Sequence, residues 1–90
     1  MASQSNPASE SLERQLLNLI SERVLETKSD FDADSDLYES GLDSMAIIQL
    51  MLLVETEYRV AITETDWTRQ NFSTTRQLAE LIRERSARAA

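Results

Sequence analysis

Apolar residues recur at helical spacing in three separate stretches of this chain, and nowhere do they alternate between turn residues as strands would. That pattern admits an all-α fold and little else. With 90 residues the chain makes one small domain, and a domain of this size buries about two-thirds of its unfolded surface. In the first stretch Leu12, Leu16, Leu19 and Ile20 fall at i, i+4, i+7 and i+8, with Arg23 and Val24 beyond them. Glu13, Arg14, Asn18 and Glu22 fill the other side, which describes an amphipathic helix with one buried stripe. Asn6-Pro7 or Ser9 is expected to cap its start, and Lys28 to lie near its end.

The middle helix is expected from Ser44 to Tyr58 or Arg59, with Ile47, Leu50, Met51, Val54 and Tyr58 on its core face. Met45, Ile48, Leu52 and Leu53 fall off that stripe, and only Gln49 is polar between Met45 and Val54. A helix apolar around most of its circumference is central to a bundle or docks onto something else. The last helix opens at Thr74, three residues before Gln77, as a capping box does. Leu78, Leu81 and Ile82 form its apolar face. Between Val60 and Asn71 a short helical turn is expected, pinned to the core by Ile62, Trp67 and Phe72. Phe31 and Leu37 are expected to anchor the long connection from Lys28 to Asp43.

Several chemistries are excluded outright. The chain has no Cys and no His, so disulfides, thiolate nucleophiles, Cys-based zinc sites and a Ser-His-Asp triad cannot be built. The reading is not an enzyme. The polar start "MASQSNPASE" lacks a secretory pattern, and no apolar run approaches the roughly 20 residues of a membrane span. A cytoplasmic protein without membrane insertion is expected. The net charge of −7 disfavours nucleic acid as a partner. Residues 29–45 hold Asp30, Asp32, Asp34, Asp36, Glu39 and Asp43 with no Lys or Arg, a distribution suited to steering basic partner proteins. Arg76, Arg83, Arg85 and Arg88 gather in the last helix, where cations suit its C-terminal end. The alternating Asp30, Asp32 and Asp34 copy the start of a calcium loop. The copy fails, because Ser35 stands at its sixth position and Gly41 at its twelfth, so no metal site is expected.

The junction before the middle helix carries the most information. Gly41, the chain's only glycine, gives the turn its backbone freedom, and either Asp43 or Ser44 can cap the helix. The plain reading of Asp43-Ser44 is that cap alone. A phosphodiester on Ser44 would also suit the positive end of the helix dipole, with Asp43 beside it to orient a cation or a modifying enzyme.

The string "DLYESGLDSMAIIQL" resembles the modification segment of acyl and peptidyl carrier proteins, and the order of helices follows theirs over residues 9–85. The resemblance implies a four-helix carrier bundle: three longer helices plus one short helix, with a long loop between helices 1 and 2. Residues 1–8 and 86–90 would be flexible tails. It further implies 4′-phosphopantetheine on Ser44, donated from coenzyme A by a phosphopantetheinyl transferase. The arm's thiol, absent from the chain itself, then holds an acyl or aminoacyl group as a thioester. An adenylating acyl or amino acid:carrier ligase would load the arm, and a downstream acyl-accepting enzyme would unload it. Carried over by position, the partner face is Met45, Ile48 and Leu52, with Asp36 and Glu39 steering. The chain departs from fatty-acid carriers in having Ala46 and Gln49 where acids are usual early in the second helix. "DSMAIIQL" and Trp67 look most like small stand-alone aminoacyl carriers such as the D-alanyl carrier of teichoic acid modification. Amino acid cargo is therefore favoured over a fatty-acyl or polyketide intermediate. An unmodified protein-interaction module is the alternative from another class. A monomer is expected, because transient docking needs no self-association.

Overall fold

The computed structural model describes residues 11–89, with side chains as far as Ser86. It is all-α: α1 (Leu12–Arg23), α2 (Ser44–Tyr58), one 3-10 turn (Glu64–Asp66) and α3 (Thr75–Ala89). Three long helices and one short one are present as expected. The proposed caps Asn6, Pro7 and Ser9 and the tail 1–8 lie outside the described residues.

Helix α1 starts at Ser11, whose Oγ accepts from the Arg14 N–H at 3.2 Å. Leu16 and Ile20 are fully buried, while Leu12, Leu19 and Val24 pack half-buried beside them. The helix ends at Arg23 rather than near Lys28. The amides of Val24 and Leu25 both donate to Ile20 O, at 3.0 and 2.9 Å, which closes the last turn. Gln49 of α2 then donates its side-chain amide to Arg23 O at 2.8 Å. A carbonyl that a continuing helix would have used is satisfied from outside, and the chain leaves.

Helix α3 is capped by Thr74, whose Oγ1 accepts from the Gln77 N–H at 3.1 Å. It runs to Ala89, through the stretch expected as a tail. Leu78, Ala79, Leu81 and Ile82 are buried. This helix packs most closely on α1, and Arg83 grips both Glu13 carboxylate oxygens at 2.7 and 2.9 Å. From α2 the core receives Leu50, Met51 and Val54, with Ile47 and Tyr58 half-buried at its edge.

The expected long loop between α1 and α2 is a run of hydrogen-bonded turns tied to α3. Arg76 N–H donates to Ala33 O and Leu37 N–H to Ser73 O, each at 2.9 Å. The Arg76 guanidinium holds Asp34 through both oxygens, at 2.7 and 3.0 Å. Leu37 is fully buried and Phe31 packs against the core, as the spacing predicts.

Trp67 behaves differently from expectation. Ile62 and Phe72 are buried, but Trp67 is 44% exposed. The residue that turns inward is its neighbour Asp66, which meets Arg85 of α3. The connection is thus pinned by a buried ion pair rather than by the indole.

Candidate functional site

The approach to α2 is a single capped turn. Asp36 Oδ1 accepts from the amides of Tyr38 and Glu39, at 2.8 and 3.2 Å, as an N-cap does. At the other end Leu42 N–H donates to Leu37 O at 2.9 Å, and Gly41 N–H to Tyr38 O at 3.2 Å. Those two bonds are the 6→1 and 5→2 pair of a Schellman motif, and Gly41 occupies its left-handed position at φ 114°. Leu37 and Leu42, the two residues such a motif brings together, are both buried. The turn is therefore locked at both ends and anchored beneath.

Asp43 follows in extended backbone and caps α2, its Oδ1 accepting from the Ala46 N–H at 2.9 Å. The sequence left the cap open between Asp43 and Ser44, and the backbone gives it to Asp43. Ser44 becomes the first helical residue, exposed, and its hydroxyl has no hydrogen-bond partner among the described residues. First-turn amides have no intrahelical carbonyl to reach, and the dipole there favours negative charge. An uncommitted hydroxyl at such a place fits a covalently attached phosphodiester.

Met45, Ile48 and Leu52 are 76%, 47% and 61% exposed and share one face of α2. Leu53, also off the core stripe, is half-buried. Asp36 and Glu39 sit on the turn just before the serine, both exposed, so the candidate residues converge on one end of α2 and its approach. Asp34 is engaged elsewhere, where the Arg76 hydrogen bond holds its carboxyl below the usual range. An open hollow of about 400 Å³ lies between residues 26–31 and 35–40, and Ser44 takes no part in lining it. The serine is presented outward, not enclosed in a catalytic cleft.

Three contributors went unread in the sequence. Gln49, noted only as the lone polar residue, joins α2 to the end of α1. Arg69 lies over the Tyr38 ring, 4.3 Å from its centroid, with nothing local to announce it. Asp66 had a signal, since Thr63 stands three residues before it. The structure completes that capping box, with Thr63 N–H on Asp66 Oδ2 at 3.0 Å.

Residues 14–82 match the family described as the phosphopantetheine attachment site. D-alanyl carrier proteins from two strains of Lactobacillus delbrueckii subsp. bulgaricus are 27% identical over 73 residues, 80% of this chain and 90% of theirs. Among solved structures, the fold matches a chain in engineered Bradyrhizobium japonicum glycine:[carrier protein] ligase complexed with carrier protein from Agrobacterium tumefaciens and ATP. That match has a TM-score of 0.71 and 21% identity, covering 82% of this chain and 99% of the other. A second match is to the Bradyrhizobium japonicum ligase complexed with glycylated carrier protein. Its TM-score is 0.58 at 26% identity, over 77% and 89% of the two chains.

Proposed function

Because the chain belongs to the phosphopantetheine attachment-site family, whose members carry 4′-phosphopantetheine, we propose that Ser44 is the attachment residue of an aminoacyl carrier. The observation that carries this reading is the division of labour at the head of α2. Asp43 alone caps the helix, and the exposed Ser44 hydroxyl is left uncommitted. In the modification Ser44 Oγ bonds to the pantetheine-bearing phosphorus of coenzyme A. The phosphoanhydride bond breaks, 3′,5′-ADP leaves, and the hydroxyl proton passes to the transferase. When bound, the group supplies the thiol that a chain without Cys lacks. The carrier is non-catalytic, and its enzymes perform the chemistry.

Two things favour amino acid cargo. The curated relatives are D-alanyl carrier proteins, and one fold match comes from a complex with a glycylated carrier protein. An adenylating amino acid:carrier ligase is accordingly the loading partner, and a cytoplasmic location suits enzymes that use ATP and coenzyme A. Met45, Ile48 and Leu52 form the docking face, flanked by Asp36 and Glu39. No described helix is long and apolar enough to cross a membrane.

Intact mass after incubation with coenzyme A and a broad-specificity transferase tests the attachment. The expected result is a gain of one phosphopantetheinyl group, abolished by Ser44→Ala. No gain, or a gain that survives the substitution, rejects the reading and leaves an unmodified interaction module. Loading of the modified chain by a glycine:[carrier protein] ligase with ATP then compares glycine, D-alanine and a fatty acid.

A further inference from the structure

We propose that Arg69, stacked on Tyr38, is a positioning residue for Ser44. It holds the turn that delivers Asp43-Ser44 to the enzymes that act on the serine. The proposal rests on Ser44 being the attachment residue.

Residues 29–45 contain acids and no cation of their own, so any positive charge beside the turn arrives through the fold. Arg69 is such a cation. Its guanidinium carbon lies 4.3 Å from the centroid of the Tyr38 ring, well inside cation–π range. Among the described residues no carboxylate lies within ion-pair distance of it. The ring is what fixes the side chain.

Both ends of this contact are anchored. On the Arg69 side, Thr68 N–H and the Asn71 side-chain amide donate to Asp66 O, at 2.9 and 2.8 Å. Asp66 is itself held by Arg85 of α3. On the other side, Tyr38 packs half-buried against the core. Its N–H is spent on Asp36 Oδ1, and its carbonyl accepts from Gly41 N–H at 3.2 Å. Gly41 leads through buried Leu42 to the cap Asp43 and then to Ser44. Displacement of Tyr38 therefore strains one of the two bonds that end the turn, just upstream of the serine. The contact links the α3-anchored segment 66–71 to the geometry of the attachment site.

The test uses the full unmodified chain and the variants Arg69→Ala, Arg69→Lys and Tyr38→Phe, followed by amide hydrogen exchange and transferase kinetics. Loss of an exposed cation–π contact predicts exchange at the Gly41 and Leu42 amides faster by about two- to fivefold in Arg69→Ala. Exchange in the α3 core and the urea midpoint should stay at wild-type values. The kcat/KM for modification should fall by a similar factor, and Arg69→Lys and Tyr38→Phe should retain most of it. Unchanged exchange at Gly41 and Leu42 overturns the proposal, even if modification slows, because Arg69 would then touch the transferase directly. Faster exchange with an unchanged modification rate overturns it as well, as does a uniform loss of protection. If the wild-type chain accepts no phosphopantetheine, the attachment reading fails instead, and the exchange data still report whether Arg69 holds the turn.

Discussion

Arg85 of α3 holds the carboxylate of Asp66 through Nε, at 2.9 Å, and through Nη2, although Asp66 is only 4% exposed. Thr63 fills the remaining acceptor positions with its N–H at 3.0 Å and its hydroxyl at 3.1 Å. The Arg85 hydrogen bond is the largest influence on this group. It keeps the carboxyl far below the ordinary range in spite of burial. A charge this enclosed persists only with such complete pairing.

Asp66→Ala should therefore be among the most damaging single changes outside the apolar core. It strands a part-buried guanidinium whose Nη1 is already buried without a hydrogen-bond partner. Removing one partner of a buried pair costs about 3 kcal/mol or more, a large share of a small domain's stability. The urea midpoint should fall steeply. Asp66→Asn should cost less, because its amide oxygen still accepts from Thr63.

The second helix-joining pair sets an acid limit. The Arg83 hydrogen bonds hold Glu13 at about 2, against an ordinary 4.5, with partial burial opposing. The folded value lies below the unfolded one. The pair's stabilisation is therefore whole above pH 4.5 and is lost as pH falls through about 2. Urea midpoints taken stepwise down this range should drop, and Glu13→Gln should flatten the slope. Asp66 should leave a residual slope, beginning below its ordinary 3.8. Arg83 is 44% exposed, so added salt should shrink the Glu13 contribution.

Gly41→Ala separates backbone strain from crowding. A Cβ there would meet nothing nearer than Leu25 Cδ2 at 3.7 Å, an ordinary contact, so space is available. The obstacle is φ at 114°, where side chains with a Cβ are rarely found. A cost of about 2 kcal/mol is expected, which for a domain of this size lowers Tm by about 10 °C. Asn tolerates positive φ better, and Gly41→Asn should lose less. Both variants should be modified more slowly at Ser44, because the Schellman bonds from Gly41 and Leu42 lead directly into the Asp43 cap.

The helices were legible because burial imposes its period on the chain: Leu16 and Ile20, or Leu50, Met51 and Val54, announce their faces by spacing alone. The head of α2 was legible for the same reason, joined to a glycine that only a turn requires. What escaped reading depends on partners distant in the chain. Helix α1 stops at Arg23 because Gln49, 26 residues later, takes its carbonyl. Trp67 points outward because Asp66 points inward toward Arg85, 19 residues further on. An apolar pattern ranks the indole above the carboxylate as a core residue, and only the paired arginine reverses that order. The choice of Asp43 over Ser44 as cap is a matter of backbone angles, which composition does not encode.

The two faces of α2 should respond oppositely to substitution. Leu50 is completely buried, so Leu50→Ala should cost about 2–5 kcal/mol through lost transfer energy and the cavity left behind. Ile48 and Leu52 are 47% and 61% exposed in the free chain. Ile48→Ser and Leu52→Ser should each change stability by only about 0.5 kcal/mol. If this face receives the loading ligase, the double substitution removes apolar anchors from the interface. It should then lower kcat/KM for aminoacylation of the modified chain by about tenfold. Most of the loss should appear in KM, because docking interactions are made equally before and during the chemical step. Thermal melting and ligase kinetics on the same preparations provide the check. A double variant loaded at the wild-type rate would remove these residues from the docking face, and a collapse in Tm would return them to the core.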